Sequence, residues 1–378
     1  METHLMTRNS PAVWLVLAGL GLGAPPSLAA EIPDSIKTSV DASKQRDTIQ
    51  AFIREKISAL IGPDPVARSA ARESLIDNAA IDKSNTSVAY KDVYAEELDN
   101  ELVKAIKGAS MEGRLNAAIV AARVARGDRG AQLADTAIAA ISDESEPVML
   151  WGVKIAAQLM PAALSVSKTP PVLTKITTVA AGEPPARVIP EIYDVLTLTS
   201  YSSDPQAIRS VIPDAQWRTL VPLISPELFK FWRARLSGIA AGSNVEPAAE
   251  VIPPKFVGVL RTWSAMPPAQ QVEAMQLLVD QLSLAAERFS SAAGAERDAF
   301  LQVLKSTGSA LEVIGGGSLE RSPALEGAAR AVRNLGPNST GAAVDNAVLQ
   351  AISAVKAIPK FSQLKPAPSV APPSTRPA

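Results

Sequence analysis

The amino-acid sequence predicts an all-α protein, and three observations support that prediction. Apolar residues recur three and four positions apart through most of the chain, which is the period of a helix with one buried face. Many of the 30 prolines stand just before such a run, where the first turn of a helix tolerates them. No segment shows the sustained two-residue alternation of a half-buried strand, and no Asn-Gly or Asp-Gly pair forms a hairpin turn.

The first 30 residues are typical of a secretory signal peptide. Arg8 supplies a positive charge, residues 14–24 form an apolar run, and small residues at Ser27 and Ala29 match a cleavage site. We expect cleavage near Ala29 or Ala30 and a periplasmic or secreted protein without an integral membrane segment. The alternative is an envelope protein that keeps this run as an uncut anchor.

The chain contains no cysteine, and its one histidine, His4, lies inside this segment. After cleavage the protein cannot form a disulfide, a Ser-His-Asp or Cys-His catalytic site, or the usual zinc and copper sites. We therefore predict no catalytic, cofactor-binding or metal-binding residue. A formal net charge of −1 gives no electrostatic reason to expect nucleic acid as a partner.

The first half of the chain contains a polar lead-in, residues 31–45, followed by six predicted helices. In order along the sequence, these helices cover residues 46–60, 66–76, 87–107, 111–126, 131–142 and 147–164. The second begins after Asp64-Pro65, which combines an N-cap with a first-turn proline. The last is apolar on two sides, so we expect it to have neighbours on both.

The second half of the chain continues with proline-marked helix starts. The pairs or triplets expected to precede helices are Thr169-Pro170-Pro171, Glu183-Pro184-Pro185, Ser225-Pro226, Pro267-Pro268 and Ser322-Pro323. The clearest later helices are predicted at 269–289, 295–314, 323–334 and 341–357. Residues 203–254 are the least regular stretch, and a Pro-rich unstructured tail begins at residue 366.

Four helix starts in the first half share a pattern: a short acidic or Pro-bearing turn, then a small or aliphatic residue, then a small residue four positions on. The aligned positions are Val66, Gly113, Val148 and Ala186, followed by Ala70, Ala117, Gly152 and Pro190. Arginines lie near the start at Arg68, Arg114 and Arg187, though not in one register, and Met149 replaces the arginine in the third unit.

This pattern, over roughly residues 49–198, resembles the second helix of HEAT-type repeats, which have a period of about 40 residues. The resemblance implies a solenoid of stacked helical pairs with an extended protein-binding surface and no catalytic residues of its own. The predicted organisation is a signal peptide at 1–30, a HEAT-like α-solenoid at 31–200, a C-terminal helical region at 201–365 and a disordered tail at 366–378.

Acidic residues are densest in one predicted helix, at Asp92, Glu96, Glu97, Asp99 and Glu101. Such a cluster could belong to a glycosidase or to a calcium site. We favour a solvated helix face, because calcium loops place their carboxylates on a turn with glycine.

Further charged and glycine-rich segments have structural explanations. Acids at residues 143–146 suit the positive start of the following helix, and the arginines at residues 123–129 predict a solvated face. Gly315-Gly316-Gly317 predicts the end of a helix, since no phosphate-binding pattern follows it.

Two groups of aromatic residues are candidate binding sites. Trp151 has helical spacing with Ile155 and is predicted to belong to the core. The segment that contains Phe229, Phe231, Trp232 and Arg233 is denser in aromatics than one buried stripe requires, so we predict a partner-binding patch there.

The function predicted from the sequence is that of an exported, non-enzymatic scaffold. It would offer a helical surface to a protein partner whose identity the sequence does not specify. The alternative is a carboxylate-based hydrolase acting on cell-envelope polysaccharide, which predicts two acids facing each other across a groove.

Overall fold

The computed structural model describes residues 31–79, 85–163, 169–197, 214–240, 263, 266–316 and 320–365. Within these residues the regular structure is helical, and no strand occurs, so the all-α prediction is confirmed. None of the helices in these ranges is long and apolar enough to cross a membrane. The predicted signal peptide, the Pro-rich tail and the boundary near residue 200 lie outside the described residues.

The described residues form fourteen α-helices. They are α1 (Asp34–Lys37), α2 (Arg46–Ile61), α3 (Pro65–Asn78), α4 (Val88–Gly108), α5 (Met111–Val124), α6 (Ala134–Ile141), α7 (Glu146–Ala163), α8 (Thr169–Ala181), α9 (Ile189–Leu196), α10 (Asp214–Ala240), α11 (Pro268–Ser291), α12 (Gly294–Gly316), α13 (Pro323–Arg333) and α14 (Gly341–Lys356). Short 3-10 turns at Ala42–Gln45, Gly130–Leu133 and Pro359–Phe361 supplement them. The predicted helices agree with these bounds within a few residues. The main difference is at 131–142, where a 3-10 turn precedes α6.

Helices α2 to α9 form a stack of two layers. Within one layer α2, α4, α6 and α8 contact one another in that order, and within the other α3, α5, α7 and α9 do the same. Each helix of the first layer also contacts the next helix along the chain, which lies in the second layer. The unit of the stack is therefore a helical pair, and each pair contacts its immediate neighbours.

Small residues mark the closest approach of helices in this stack, but in a register that differs from the predicted one. Ala71, Ala117 and Gly152 are each the seventh residue of α3, α5 and α7, and all three are buried. Ala70, the predicted position in the first unit, is exposed, so that alignment was wrong by one residue. A Cβ atom at Gly152 would lie 2.7 Å from the backbone carbon of Ala140, which leaves no room for a side chain.

The fourth aligned position was also wrong. Pro184 and Pro185 precede turn residues, and α9 begins only at Ile189, so Pro190 stands in its first turn and is exposed. The proline at this position starts the helix and does not pack against its partner.

Helix α10 overturns two predictions about the middle of the chain. It lies within residues 203–254, the stretch expected to be least regular, and Pro222 and Pro226 lie inside it. Pro226 has no N–H to donate to the carbonyl of Pro222, four residues earlier. Gln270 Nε2 of α11 donates to that carbonyl instead, at 3.1 Å. Ser225-Pro226 therefore does not start a helix, because a neighbouring side chain supplies the missing hydrogen bond.

Helices α11 to α14 form a closed bundle. Each contacts the next along the chain, and α11 also contacts α14, which closes the ring. Helix α12 ends at Gly316, in agreement with the prediction for the glycine run. Close approach to α13 requires two glycines of α12: a Cβ at Gly308 would lie 2.8 Å from the backbone nitrogen of Arg333, and one at Gly315 would lie 2.8 Å from that of Glu326.

Candidate functional site

The prediction of a solvated acidic face on α4 was wrong for three of its five acids, whereas Glu96 is exposed and Asp92 is partly exposed. Glu97, Asp99 and Glu101 are 2%, 3% and 7% exposed, so they lie in the interior. Helix α4 is in contact with α2 on one side and α6 on the other. Its acidic residues therefore reach neighbouring units of the stack, and no sequence-local feature reveals those partners.

Two arginines of α2 neutralise most of this acidic face. Arg46 bonds both Glu96 and Glu97, with nitrogen–oxygen distances of 2.7 Å to each. Arg54 Nε lies 2.9 Å from Glu101 Oε1. These carboxylates form charged hydrogen bonds that join α4 to α2. They therefore do not provide the unpaired acid and base that a glycosidase needs.

Asp99 joins α4 to α6 by a different contact. Its Oδ1 accepts from the backbone N–H of Thr136 at 2.9 Å and from the Thr136 hydroxyl at 2.7 Å. Thr136 lies in the first turn of α6, where backbone N–H groups have no partner within the helix. Asp99 thus acts as an N-cap supplied by another helix, in a buried position where an unpaired donor would be costly.

The surroundings of α4 shift three pKa values. Burial raises the pKa of the Glu101 carboxyl, but hydrogen bonds from Lys104 and Arg54 outweigh burial, so the net pKa lies below the ordinary value. Burial raises the pKa of Tyr90 and of Tyr94. Both tyrosines therefore keep their protons.

The Tyr90 and Tyr94 hydroxyls donate to the carbonyls of Asn78 and Leu75, at 2.9 and 2.7 Å. These carbonyls lie in the last turn of α3, and the Leu75 carbonyl also accepts from the Ala79 N–H at 3.3 Å. The two tyrosines thus cap the C-terminal end of α3.

The second layer of the stack carries one ion pair at each junction. Arg68 of α3 pairs with Glu112 of α5, and Arg114 of α5 lies 2.9 Å from Asp143, just before α7. Lys154 of α7 lies 3.4 Å from Glu191 of α9. In all three the cation belongs to the earlier unit and the acid to the later one. Arg68 and Arg114 are each the fourth residue of their helices, so they do share one register.

An open groove of about 690 Å³ lies between α4 and α6, and we call it the α4–α6 groove. Its volume falls in the range of ordinary ligand sites. The residues that line it are Val103, Ile106, Lys107, Arg114, Asp135, Ile138, Ala139, Ser142, Asp143 and Glu144. They come from the ends of α4 and α6, the start of α5 and the turn before α7.

The charges of the groove are not arranged as in a glycosidase. Asp135, Asp143 and Glu144 all belong to α6 or to the turn after it, whereas Lys107 and Arg114 come from α4 and α5. Asp143 already pairs with Arg114, and its Oδ1 accepts from the Ser145 N–H at 2.8 Å. The groove therefore sets acids on one helical unit beside bases on another, and does not place two acids on opposite walls.

The predicted aromatic patch lies in the interior of the protein. Phe229, Phe231 and Trp232 are 0%, 2% and 1% exposed, and Trp232 Nε1 donates to Gln281 Oε1 at 2.6 Å. Arg233 Nη2 lies 2.5 Å from Glu273 of α11. The premise that these aromatics are too dense to be buried is wrong, because α10 packs against α8, α9 and α11 and buries more than one side.

The remaining candidate residues have structural contacts. Trp151 is half-buried, with the Lys154 ammonium 5.2 Å from its ring centroid, whereas Ile155 is fully buried. Arg123 and Arg126 are exposed, and Arg129 pairs with Asp92 at 2.5 Å. In the part of the chain that the structure describes, no group of three or more Asp, Glu, His or Cys side chains could hold a metal ion.

Comparison with known proteins does not assign a family. No protein-family model matches the chain, and no curated protein matches it. A crystal structure of an engineered protein from the Northeast Structural Genomics Consortium aligns with 85% of this chain and 97% of its own, at 16% identity and a TM-score of 0.27. So low a score carries no argument, and the description of the fold rests on the contacts within this chain.

Proposed function

We propose that this protein is an exported, non-enzymatic scaffold of the HEAT-like class, and that it binds another protein along one edge of its helical stack. The observation that carries this proposal is the two-layer order of contacts, in which successive pairs touch and an open groove remains between α4 and α6. Stacks of this kind present extended surfaces that are suited to protein partners.

The repeated positions support the HEAT-like assignment. Small buried residues occupy the seventh position of α3, α5 and α7, and arginine occupies the fourth position of α3 and α5. Each arginine pairs with an acid of the next unit. Export is supported by the sequence of residues 1–30. A non-enzymatic role is supported by a composition that leaves neither histidine nor cysteine after residue 30.

Exposed apolar residues are present at the edge that carries the groove. Met111 is 47% exposed and precedes Arg114 of the groove by three residues, so the two are neighbours on α5. Ile61 and Val66 are 37% and 76% exposed and lie where α2 gives way to α3, the corresponding turn of the preceding pair. The opposite end of α4 also carries an exposed apolar residue, Val88 at 58%, so the groove and not apolar exposure selects this edge.

A photoreactive amino acid placed at Ala139 tests this proposal in the cells that produce the protein. We expect a discrete covalent adduct with another polypeptide from Ala139, which lines the groove, and none from Asp298, an exposed control position on α12. Equal labelling from both positions would contradict the proposal. So would the absence of an adduct combined with turnover of cell-envelope polysaccharide by the purified protein, which is the outcome the hydrolase alternative requires.

A further inference from the structure

The outer face of α13 and α14 carries an open groove without charge. The groove has a volume of about 490 Å³, and its eight lining residues come from these two helices alone. Ala324, Gly327 and Ala328 form the α13 side, so no long side chain covers the groove there. None of the eight lining residues is charged, although charged residues make up 20% of the chain. Covering this face with another protein therefore removes no charged group of the groove from water.

Leu349 of α14 lines the same groove and is itself open to solvent. It is 61% exposed, which is the largest value for any leucine among the described residues. Asn346 and Ser353, one helical turn to either side of it, are exposed and neutral. A single exposed leucine is common on protein surfaces, so the charges around Leu349 on α14 decide which partner suits it.

Two charged residues of α14 flank Leu349 on the same side of the helix. Asp345 precedes Leu349 by four residues and Lys356 follows it by seven, and the eleven residues between the two charges are close to three helical turns. Asp345 is exposed and Lys356 is half-buried, and neither forms an ion pair within the described part of the chain. Opposite charges thus lie about 16 Å apart along one side of α14, with Leu349 between them.

This arrangement is complementary to itself. Two copies of α14 can lie antiparallel about a two-fold axis that passes midway between Asp345 and Lys356. Each Asp345 then faces the Lys356 of the other copy, because a two-fold axis exchanges the two ends of the contact. The same axis brings the two Leu349 side chains beside each other at the centre. A second copy of the chain therefore satisfies both the charges and the apolar residue of this face.

We infer that the outer face of α13 and α14 is a homodimer interface, in which α14 packs antiparallel on α14 of a second copy. Leu349 packs on Leu349 and Ser353 across the axis, and the small residues of α13 let the two copies approach. The ion pair between Asp345 and Lys356, formed twice, fixes the register. The contact uses residues of the bundle alone, so the inference goes beyond the proposed function and does not depend on it.

The size of this face predicts a weak dimer. Helices α13 and α14 have 11 and 16 residues, so they are about 16 and 24 Å long, and packed helices lie about 10 Å apart. The face then covers on the order of 500 Å² on each copy, less than the roughly 800 Å² of a typical stable complex. We expect a Kd of about 10 μM, which concentration-dependent measurements can reach.

Sedimentation velocity of the purified protein at a series of concentrations tests the inference through charge reversal. Asp345→Lys and Lys356→Asp should each weaken association about tenfold, because each places two like-charged pairs across the axis. The double variant that carries both changes should regain the original Kd within about threefold. Asp298→Lys, an equal charge change at an exposed position of α12, should leave association unchanged.

Thermal unfolding of the same variants separates this role from a local one. An aspartate near the start of a helix and a lysine near its end also stabilise the helix itself. A purely local role therefore makes the double variant the least stable and does not restore its association. Single variants that associate like the unmodified protein, or a double variant as weak as the single ones, would overturn the inference. So would a monomer at every concentration, which would leave this face to a different protein.

The absence of cysteine from the chain permits a second and independent measurement. Leu349→Cys introduces one thiol beside the axis, whereas Asp298→Cys introduces one on α12, away from the interface. Mild oxidation should join Leu349→Cys chains into a disulfide-linked dimer about tenfold faster than Asp298→Cys chains, because only the first pair of thiols is held within bonding distance. Equal rates at the two positions would overturn the inference.

Discussion

The stack of α2 to α9 and the bundle of α11 to α14 both bury the apolar faces of their helices, but the helices contact one another in different orders. In the stack, each helical pair contacts the pairs before and after it, and buried or half-buried charged side chains cross the junctions. In the bundle, the first and last helices contact each other, and glycines at residues 308 and 315 let α12 and α13 approach closely.

The difference concerns how register is specified. Apolar faces of stacked pairs can slide past one another, because hydrophobic contact is non-directional. Ion pairs and capping contacts such as Asp99–Thr136 have defined geometry, so they fix where one pair sits on the next. A closed ring of helices restricts sliding by closure itself. Consistent with this view, the buried acids Glu97, Asp99 and Glu101 lie in α4, and the Asp143 side chain, 8% exposed, lies at the junction of α5 with α7.

Substitution of valine for a close-packing glycine should give the largest loss of stability. It also tests how many neighbouring helices lose structure when one helix is displaced. Gly152→Val in the stack and Gly308→Val in the bundle each force a side chain into a neighbouring backbone, at a cost of about 3 kcal/mol. Hydrogen exchange should show lost protection in α6, α7 and their immediate neighbours for Gly152→Val. For Gly308→Val it should be lost together in α11 to α14. Equal spread in both variants would remove the distinction between the two regions.

The charged junctions explain which parts of this architecture could be predicted from the sequence. Helix periodicity is local, so most helices and their approximate ends were predicted correctly. Helix α10 was the exception, because Pro226, which lies inside it, was expected to start a helix. The partners of Glu97 and Asp99 are Arg46 and Thr136, which lie about 40 to 50 residues away in sequence. The sequence of the five acids in α4 does not show whether they face water or form contacts with the neighbouring helices α2 and α6. The groove was missed for the same reason, since its lining comes from four separate segments.

Removal of the Asp99 carboxylate should have the next largest effect. Asp99→Ala leaves the Thr136 N–H buried without its acceptor, and the hydroxyl keeps only the Asp99 backbone carbonyl at 3.3 Å. This change should destabilise the stack by about 2 kcal/mol. Asp99→Asn keeps an acceptor oxygen and should lose less. Chemical denaturation followed by hydrogen exchange would measure both, and a loss in α11 to α14 as large as in α4 and α6 would contradict the assignment of this contact to the stack.

Acidification should loosen the stack before the bundle, with a smaller effect. The folded-state pKa of Glu101 is lowered by Lys104 and Arg54 in spite of burial. Its contribution to stability is therefore complete above the ordinary pKa of 4.5 and is lost as the pH falls through the lower folded value. Hydrogen exchange between about pH 5 and pH 3 should show α2 and α4 losing protection first. Glu101→Gln should flatten that pH dependence, and an unchanged profile would show that other carboxylates govern it.

The smallest expected effect comes from removing two matched helix caps. Because both removals cost similar stability, they compare how many helices lose hydrogen-exchange protection in each region. Ser110 caps α5 through the Gly113 N–H at 3.3 Å, and Thr340 caps α14 through the Ala343 N–H at 3.2 Å. Alanine at either position should cost about 0.5 to 1 kcal/mol, because each removes one capping hydrogen bond. With energies so similar, any difference in hydrogen exchange reflects connectivity. Ser110→Ala should raise exchange near α5 alone, whereas Thr340→Ala should raise it through all four bundle helices, because opening α14 breaks the ring that holds α11.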